Sequence, residues 1–105
     1  DWVKTLSSLD NMLKSKVPDA DERAKFILAS YNAGPGHVSD AIALASKYGL
    51  DASKWDGNVE TAINMKSKPA YYHDPVVKNG YFRAKETINF VRKVQLAYDL
   101  FRANT

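Results

Sequence analysis

Apolar side chains recur along this chain at steps of three and four residues, the spacing that aligns side chains on one face of an α-helix. The clearest stripe is formed by Trp2, Leu6, Leu9 and Leu13. No segment shows the strict alternation of a half-buried strand. The sequence therefore predicts an all-α domain of about five helices with no significant sheet. The helices are expected at about residues 2–16, 21–32, 37–48, 58–65 and 81–103.

Capping and breaking residues set the predicted ends of the helices. Asp19 or Asp21 is expected to cap the second helix, and Gly34-Pro35-Gly36 to stop it. Gly49 suits the left-handed position after the third helix. Asn58 is expected to cap the fourth.

Length and composition narrow the classes of function. A chain of 105 residues, 45% apolar and 26% charged, suits one small globular domain at residues 1–105. The formal net charge is +3, but lysine and arginine are spread along the chain, so no nucleic-acid partner is expected. The densest basic stretch, between Arg83 and Arg102, fits a solvated helix face, or weak attraction to an anionic polymer such as the bacterial cell wall. Cysteine is absent, which excludes disulfides and cysteine-based zinc sites.

Two segments carry side chains suited to a sugar. In the first, Tyr31 offers a ring and a hydroxyl, and Asn32 offers a donor and acceptors, as an acetamido sugar requires. The alternative there is a plain helix-turn-helix, with Tyr31 in the core and Asn32 as a cap. In the second, Tyr71 and Tyr72 lie in an expected ordered loop at residues 67–80. They either stack on sugars or pack the loop onto the core, and both interpretations stay open.

The histidines do not predict a metal site. The chain has only His37 and His73, and no third ligand follows at a fixed spacing, so His73-Asp74 is weak support for a metal or a catalytic dyad. We expect no metal and no cofactor. Trp55 is expected in the core.

Several motifs, in order, match one known family. The run Tyr31-Asn32-Ala33-Gly34-Pro35-Gly36 resembles the "AYNAGPG" signature of the lytic transglycosylases related to goose-type lysozyme. Asp40-Ala41, Trp55, Pro69 to Tyr72 and residues 81–91 follow in the same order as in that family. The chain looks most similar to the catalytic domain of the membrane-bound F type, and the match covers nearly the whole sequence.

The resemblance implies a lysozyme-like (goose-type) helical fold and a reaction on peptidoglycan glycan strands. The family cleaves the β-1,4 bond between N-acetylmuramic acid and N-acetylglucosamine without water, leaving 1,6-anhydro ends. One glutamic acid serves as acid and then as base. Carried over by motif, Tyr31 supports that glutamic acid, Asn32 faces the sugar and Glu86 borders the glycan groove. Phe90 stands where many members have tyrosine. The implied location is the bacterial cell envelope, in the periplasm or at the outer membrane, with any membrane anchoring through parts outside this chain.

One departure bears on the mechanism. In the family, the catalytic glutamate is the first residue of an "ES" motif, and a "GLMQ"-type motif follows it. Both motifs precede "AYNAGPG". In this chain, residues 1–21 contain no glutamate. We therefore expect the C-terminal part of the catalytic domain, without a catalytic residue of its own and packed, through Trp2, against an N-terminal segment of the same domain. Glu22 and Glu60 are expected to be solvated, and Glu86 to line the groove or pair with Arg83.

Two further classes of function remain open. A non-catalytic lysozyme-like module would hold peptidoglycan through Tyr31, Asn32 and Glu86 without cleaving it. A helical interaction domain unrelated to sugars would give every motif residue a structural role.

Overall fold

The fold is built from α-helices. The computed structural model describes the backbone of residues 2–104 and the side chains of residues 3–104. This part of the chain contains no strand, which confirms the all-α prediction. It has one helix more than expected, a single turn inside the segment predicted as a loop. The helices are α1 (Trp2–Leu13), α2 (Ala20–Ala33), α3 (Pro35–Lys47), α4 (Glu60–Met65), α5 (Pro69–Tyr72) and α6 (Lys85–Ala103).

The junction of α1 and α2 is fixed by local hydrogen bonds. The first helix ends at Leu13, three residues earlier than predicted, and passes into a tight turn in which the amides of Lys16 and Val17 both bond to the carbonyl of Leu13, at 3.2 and 2.8 Å. Val17 is buried there. Asp19 then caps α2, accepting from the amides of Asp21 and Glu22 at 2.8 and 3.3 Å. The expected contact of Trp2 with a further segment lies outside the described side chains.

The junction of α2 and α3 is a single residue. Gly34 has φ 102°, which a residue with a Cβ rarely adopts, and its amide bonds to the carbonyl of Ser30 at 2.8 Å. Pro35 is the first residue of α3, so the helix begins two residues earlier than predicted. Proline suits this position because its fixed φ is helical and the first amide has no partner within the helix.

Two other predicted boundaries are wrong. Asn58 does not cap a helix: it accepts from the amide of Asp51 and donates to the carbonyl of Asp56, and α4 begins at Glu60. The last helix begins at Lys85 rather than at residue 81. The residues before it are held away from helix because the amide of Phe82 bonds to the carbonyl of Lys66 at 3.1 Å.

The core lies where α2, α3 and α4 meet the turn at Trp55–Val59. Trp55 is fully buried there, as predicted, with its ring edge against Phe26 at 5.6 Å between centroids. The last turns of α6 are largely exposed: Tyr98 lines an open apolar groove of about 500 Å³ between α1, α2 and α6, and Phe101 is 68% exposed. No helix in residues 2–104 combines the length and apolar character that crossing a bilayer requires.

Candidate functional site

A hydrogen bond joins the end of α2 to the first turn of α6. The hydroxyl of Thr87, which is buried, donates to Oδ1 of Asn32 at 2.6 Å. This contact turns the Asn32 amide so that its two N–H donors have no protein partner among the described residues. Asn32 lies within α2, so the alternative in which it caps the helix is wrong.

An open groove of about 600 Å³ runs beside this contact. It brings together two of the predicted site residues, Asn32 and Glu86, although 54 positions separate them in the sequence. Phe90, half-buried, contributes an aromatic ring to the wall. The lining residues are Asn32, Arg83, Lys85, Glu86, Asn89, Phe90 and Lys93.

The groove is rich in unpaired charge. Arg83, Lys85 and Lys93 are exposed and form no ion pair within 4.0 Å to any residue that the structure describes. Glu86 is also exposed and also lacks such a pair, so it lines the groove without the expected bond to Arg83. The five basic residues between Arg83 and Arg102 are exposed, as predicted, but they do not share one helix face: Arg83 precedes α6, and Arg92 pairs with Glu60. Three of the five line this groove.

Tyr31 lies in a different place. Its side chain is 52% exposed, so the alternative that puts it in the core is wrong. Successive helical residues point about 100° apart, which separates Tyr31 from Asn32 on the surface of α2. Tyr31 lines a second groove, of about 520 Å³, together with Ser8 and Met12 of α1 and the Gly34-Pro35 turn.

Tyr71 and Tyr72 lie at a third location, on α5. The ring of Tyr71 stands edge-on to Tyr48 at 5.3 Å, and that of Tyr72 stands edge-on to Tyr81 at 5.7 Å. Both side chains are half-buried and line neither groove. These contacts favour the packing role, and the part of each ring that stays exposed is what a sugar would meet.

The expectation that Glu22 and Glu60 are solvated is wrong. Glu22 accepts from the amide of Trp55 at 2.8 Å and pairs with Lys25 at 3.1 Å, so it ties α2 to the turn that carries the core tryptophan. Glu60 pairs with Arg92 of α6 at 3.1 Å, and its side chain is only 12% exposed.

A buried cluster that the sequence did not predict holds the segment that precedes α6. Lys66 is fully buried, and its Nζ lies 2.7 Å from Oδ2 of Asp40 and 2.7 Å from Nδ1 of His37. Asp40 also accepts from the amides of Lys78 and Asn79 at 2.9 and 2.8 Å. The cluster thus fixes the chain that leads to Arg83 and the start of α6.

Burial and neighbouring charges shift the pKa values in this cluster. Burial raises the pKa of Asp40, but the hydrogen bonds from Lys66 and the two amides outweigh it and hold that pKa below its usual value. Burial lowers the pKa of Lys66, and Asp40 offsets only part of the effect. Burial lowers the pKa of His37, the Lys66 ammonium lowers it further, and Asp40 opposes both.

The pair His73-Asp74 does not form a catalytic dyad. Asp74 instead accepts from Lys47 at 2.8 Å and from the hydroxyl of Tyr48 at 2.7 Å. The hydrogen bond from Lys47, with others from the amide of Val76 and from Tyr48, lowers the pKa of Asp74 to about 2. Among residues 2–104 no group of three or more potential ligands is placed to hold a metal ion.

Comparison with known proteins shows what the chain is similar to. No family model matches the chain. It is 38% identical over 97 residues to a membrane-bound lytic murein transglycosylase F of Shewanella halifaxensis, with 92% of this chain and 20% of that protein aligned. Proteins of the same name from Shewanella loihica and Pseudomonas fluorescens are 36% and 35% identical, over 92% and 93% of this chain and 20% and 19% of their own lengths. The chain thus spans about a fifth of the curated relatives it matches. It is a homologue of one segment of the membrane-bound lytic murein transglycosylase F proteins.

Proposed function

We propose that residues 1–105 form the C-terminal part of a lytic transglycosylase catalytic domain and supply one wall of its groove for peptidoglycan in the bacterial cell envelope. The names of the relatives, which specify murein and a membrane-bound state, support the substrate and the location. The observation that carries the proposal is the Asn32–Thr87 bond, because it gives the two motif-matched residues Asn32 and Glu86 a common groove.

The groove has the chemistry that an N-acetylated sugar needs. The free N–H donors of Asn32 suit an acetamido carbonyl, and the Glu86 carboxylate accepts from sugar hydroxyls. The ring of Phe90 offers an apolar face. Tyr71 and Tyr72, on α5, would contact a more distant part of the strand. Tyr31, beside α1, is exposed and available to donate a hydrogen bond to a carboxyl group on a neighbouring segment.

The reaction proposed for the whole enzyme is the one that the resemblance implies. A glutamic acid donates its proton to the leaving oxygen while the bond from C1 of N-acetylmuramic acid breaks. The same group then takes the proton from the 6-hydroxyl, whose oxygen bonds to C1 and closes the 1,6-anhydro ring. The acid ends as it began, and no water is consumed.

That acid is proposed to lie outside residues 1–105. A general acid needs surroundings that disfavour its charged form. The chain has three glutamates. Glu22 and Glu60 each pair with a cation, and Glu86 is exposed in a groove that also contains three cationic side chains. The same observation favours the second candidate, a non-catalytic module that only holds peptidoglycan.

Binding is tested by sedimentation with purified peptidoglycan. The unmodified chain is expected to co-sediment, and the double variant Asn32→Ala with Glu86→Ala to stay largely in solution. The matched control replaces Asn64, which is exposed on α4, and Asp99, which is exposed on α6, by alanine. If the groove variant sediments as well as the control, the glycan does not bind in this groove.

Catalysis is tested by mass spectrometry of the material released from the same peptidoglycan. The chain by itself is expected to release no anhydro-muropeptide, and the same chain within a full-length protein to release it. Release of anhydro-muropeptide by residues 1–105 alone would refute the proposal that the catalytic acid lies outside these residues. A full-length protein that binds but releases nothing would establish the module instead.

A further inference from the structure

We propose that His37 is a pH-sensitive switch: its neutral ring holds Phe82 in place before α6, and protonation of the ring releases Phe82. Arg83 follows Phe82 in the chain and lines the groove between α2 and α6, so the switch also acts on the wall of that groove. The release of Phe82 is independent of the function proposed above, and only its effect on glycan binding rests on that function.

The ring of His37 links three parts of the fold. It lies on α3, and its Nδ1 is 2.7 Å from Nζ of Lys66, which directly follows α4. Its face stacks on the ring of Phe82, in the segment before α6, at 4.3 Å between centroids. The amide of Phe82 bonds in turn to the carbonyl of Lys66 at 3.1 Å. Phe82 is therefore held twice, by its ring on His37 and by its backbone on Lys66.

The hydrogen bonds define the protonation state of His37. Lys66 pairs with Asp40 at 2.7 Å, so its Nζ is an ammonium group, which has donors and no acceptor. Nδ1 of His37 therefore accepts from Lys66, and the ring is neutral with its proton on Nε2. The charged groups that act on His37 are Lys66 and Asp40, while the segment before α6 faces it with the uncharged ring of Phe82.

A proton on Nδ1 is incompatible with this arrangement. It places an N–H donor against the ammonium of Lys66 and leaves two cations beside one carboxylate. Lys66 is fully buried and stays paired with Asp40, whereas His37 is partly exposed, so the histidine ring is the group that moves, away from Phe82. Burial, and then the Lys66 ammonium, lower the pKa of His37, so the release of Phe82 takes place below pH 6.5.

Asp40 confines this release to one end of the segment. It accepts from the amides of Lys78 and Asn79 at 2.9 and 2.8 Å. Burial raises the pKa of Asp40, but the hydrogen bonds from Lys66 and from these amides hold it below 3.8. Above that pH, Lys78 and Asn79 keep their charged acceptor while Phe82 is released. The switch is thus a local opening and not a loss of the whole fold.

The test is amide hydrogen exchange of the ¹⁵N-labelled chain at about pH 7 and at the acid pH where the ring resonances of His37 show that it is protonated. Each rate is compared with that of an unfolded peptide at the same pH. Protection of the Phe82 amide is expected to fall about 2- to 10-fold in acid, because a stacked ring pair is lost. Protection at Lys78 and Asn79 is expected to stay unchanged.

Two variants identify the group that titrates. His37→Gln is expected to abolish the pH dependence at Phe82, because glutamine takes up no proton in this range. The matched control, His73→Gln, replaces the exposed second histidine and is expected to retain it. Constant protection at Phe82 would overturn the switch, as would a His37 that stays neutral until the domain unfolds. Equal loss of protection at Phe82, Lys78 and Asn79 would also overturn it, since the opening would not be local.

The effect on the groove is measured by calorimetry with a soluble peptidoglycan fragment. Its binding is expected to weaken in acid with the unmodified chain, and to lose this pH dependence in His37→Gln. PH-independent binding to a chain that releases Phe82 would overturn the effect on the groove and leave the switch in place. Failure of the fragment to bind at any pH would overturn the proposed function, and the exchange of the Phe82 amide would still decide the switch.

Discussion

Removal of the Lys66 ammonium is expected to be among the most damaging single changes in this chain. The variant Lys66→Met keeps an unbranched side chain, one heavy atom shorter, but leaves the carboxylate of Asp40, only 3% exposed, without its counterion. Removing one partner of a buried ion pair costs about 3–5 kcal/mol. Asp40 keeps its two amide donors, at 2.9 and 2.8 Å, so we expect the lower end, about 3 kcal/mol. A domain of this size is stable by about 5–15 kcal/mol, so the loss is a large fraction of the total.

The assay is urea unfolding at pH 7, followed by far-ultraviolet circular dichroism. Asp40→Asn is expected to cost at least as much as Lys66→Met, since it strands a fully buried ammonium. The double variant should cost at least about 1 kcal/mol less than the two single costs added together, because the residues are in contact. A cost below about 1 kcal/mol for Lys66→Met, or two single costs that simply add, would refute the reasoning.

Three other outcomes follow from the structure. Because the pKa of His37 lies below 6.5, its folded form resists protonation. The contribution of neutral His37 to the free energy of unfolding should therefore be complete above pH 6.5 and decrease as the pH falls. His37→Gln should flatten this part of the plot of unfolding free energy against pH. Because the pKa of Asp74 is lowered from 3.8 to about 2, its contribution should hold above pH 3.8 and be lost on acidification towards 2, a loss absent from Asp74→Asn. Gly34→Ala should cost about 1–3 kcal/mol in urea unfolding through backbone strain alone, since nothing lies within 4 Å of the added Cβ; a neutral result would show that the turn relaxes.

The helices could be predicted because their information is local. The spacing of apolar residues identified the elements, and Asp19 caps α2 as expected. One boundary that failed, the start of α6, depends on a contact with a distant part of the chain. Residues 81–84 fit a helical pattern, yet a hydrogen bond from Phe82 to Lys66 holds this part of the chain out of the helix.

The candidate site was predictable only in part, for the same reason. Motif matching named Asn32 and Glu86, and the structure brings them into one groove, but it places Tyr31 in another. Lys66 looks in the sequence like an ordinary surface lysine between Met65 and Ser67. Its partners Asp40 and His37 are 26 and 29 positions away, and no periodicity connects them.

The central claim, that a glycan binds between α2 and α6, is tested most directly by titrating the ¹⁵N-labelled chain with a soluble peptidoglycan fragment and following its backbone amide resonances. The amides of Asn32 and of residues 83–93 are expected to shift together and to saturate at one affinity. Shifts confined to the apolar groove at Leu6, Leu28 and Tyr98, or no shifts at all, would contradict it.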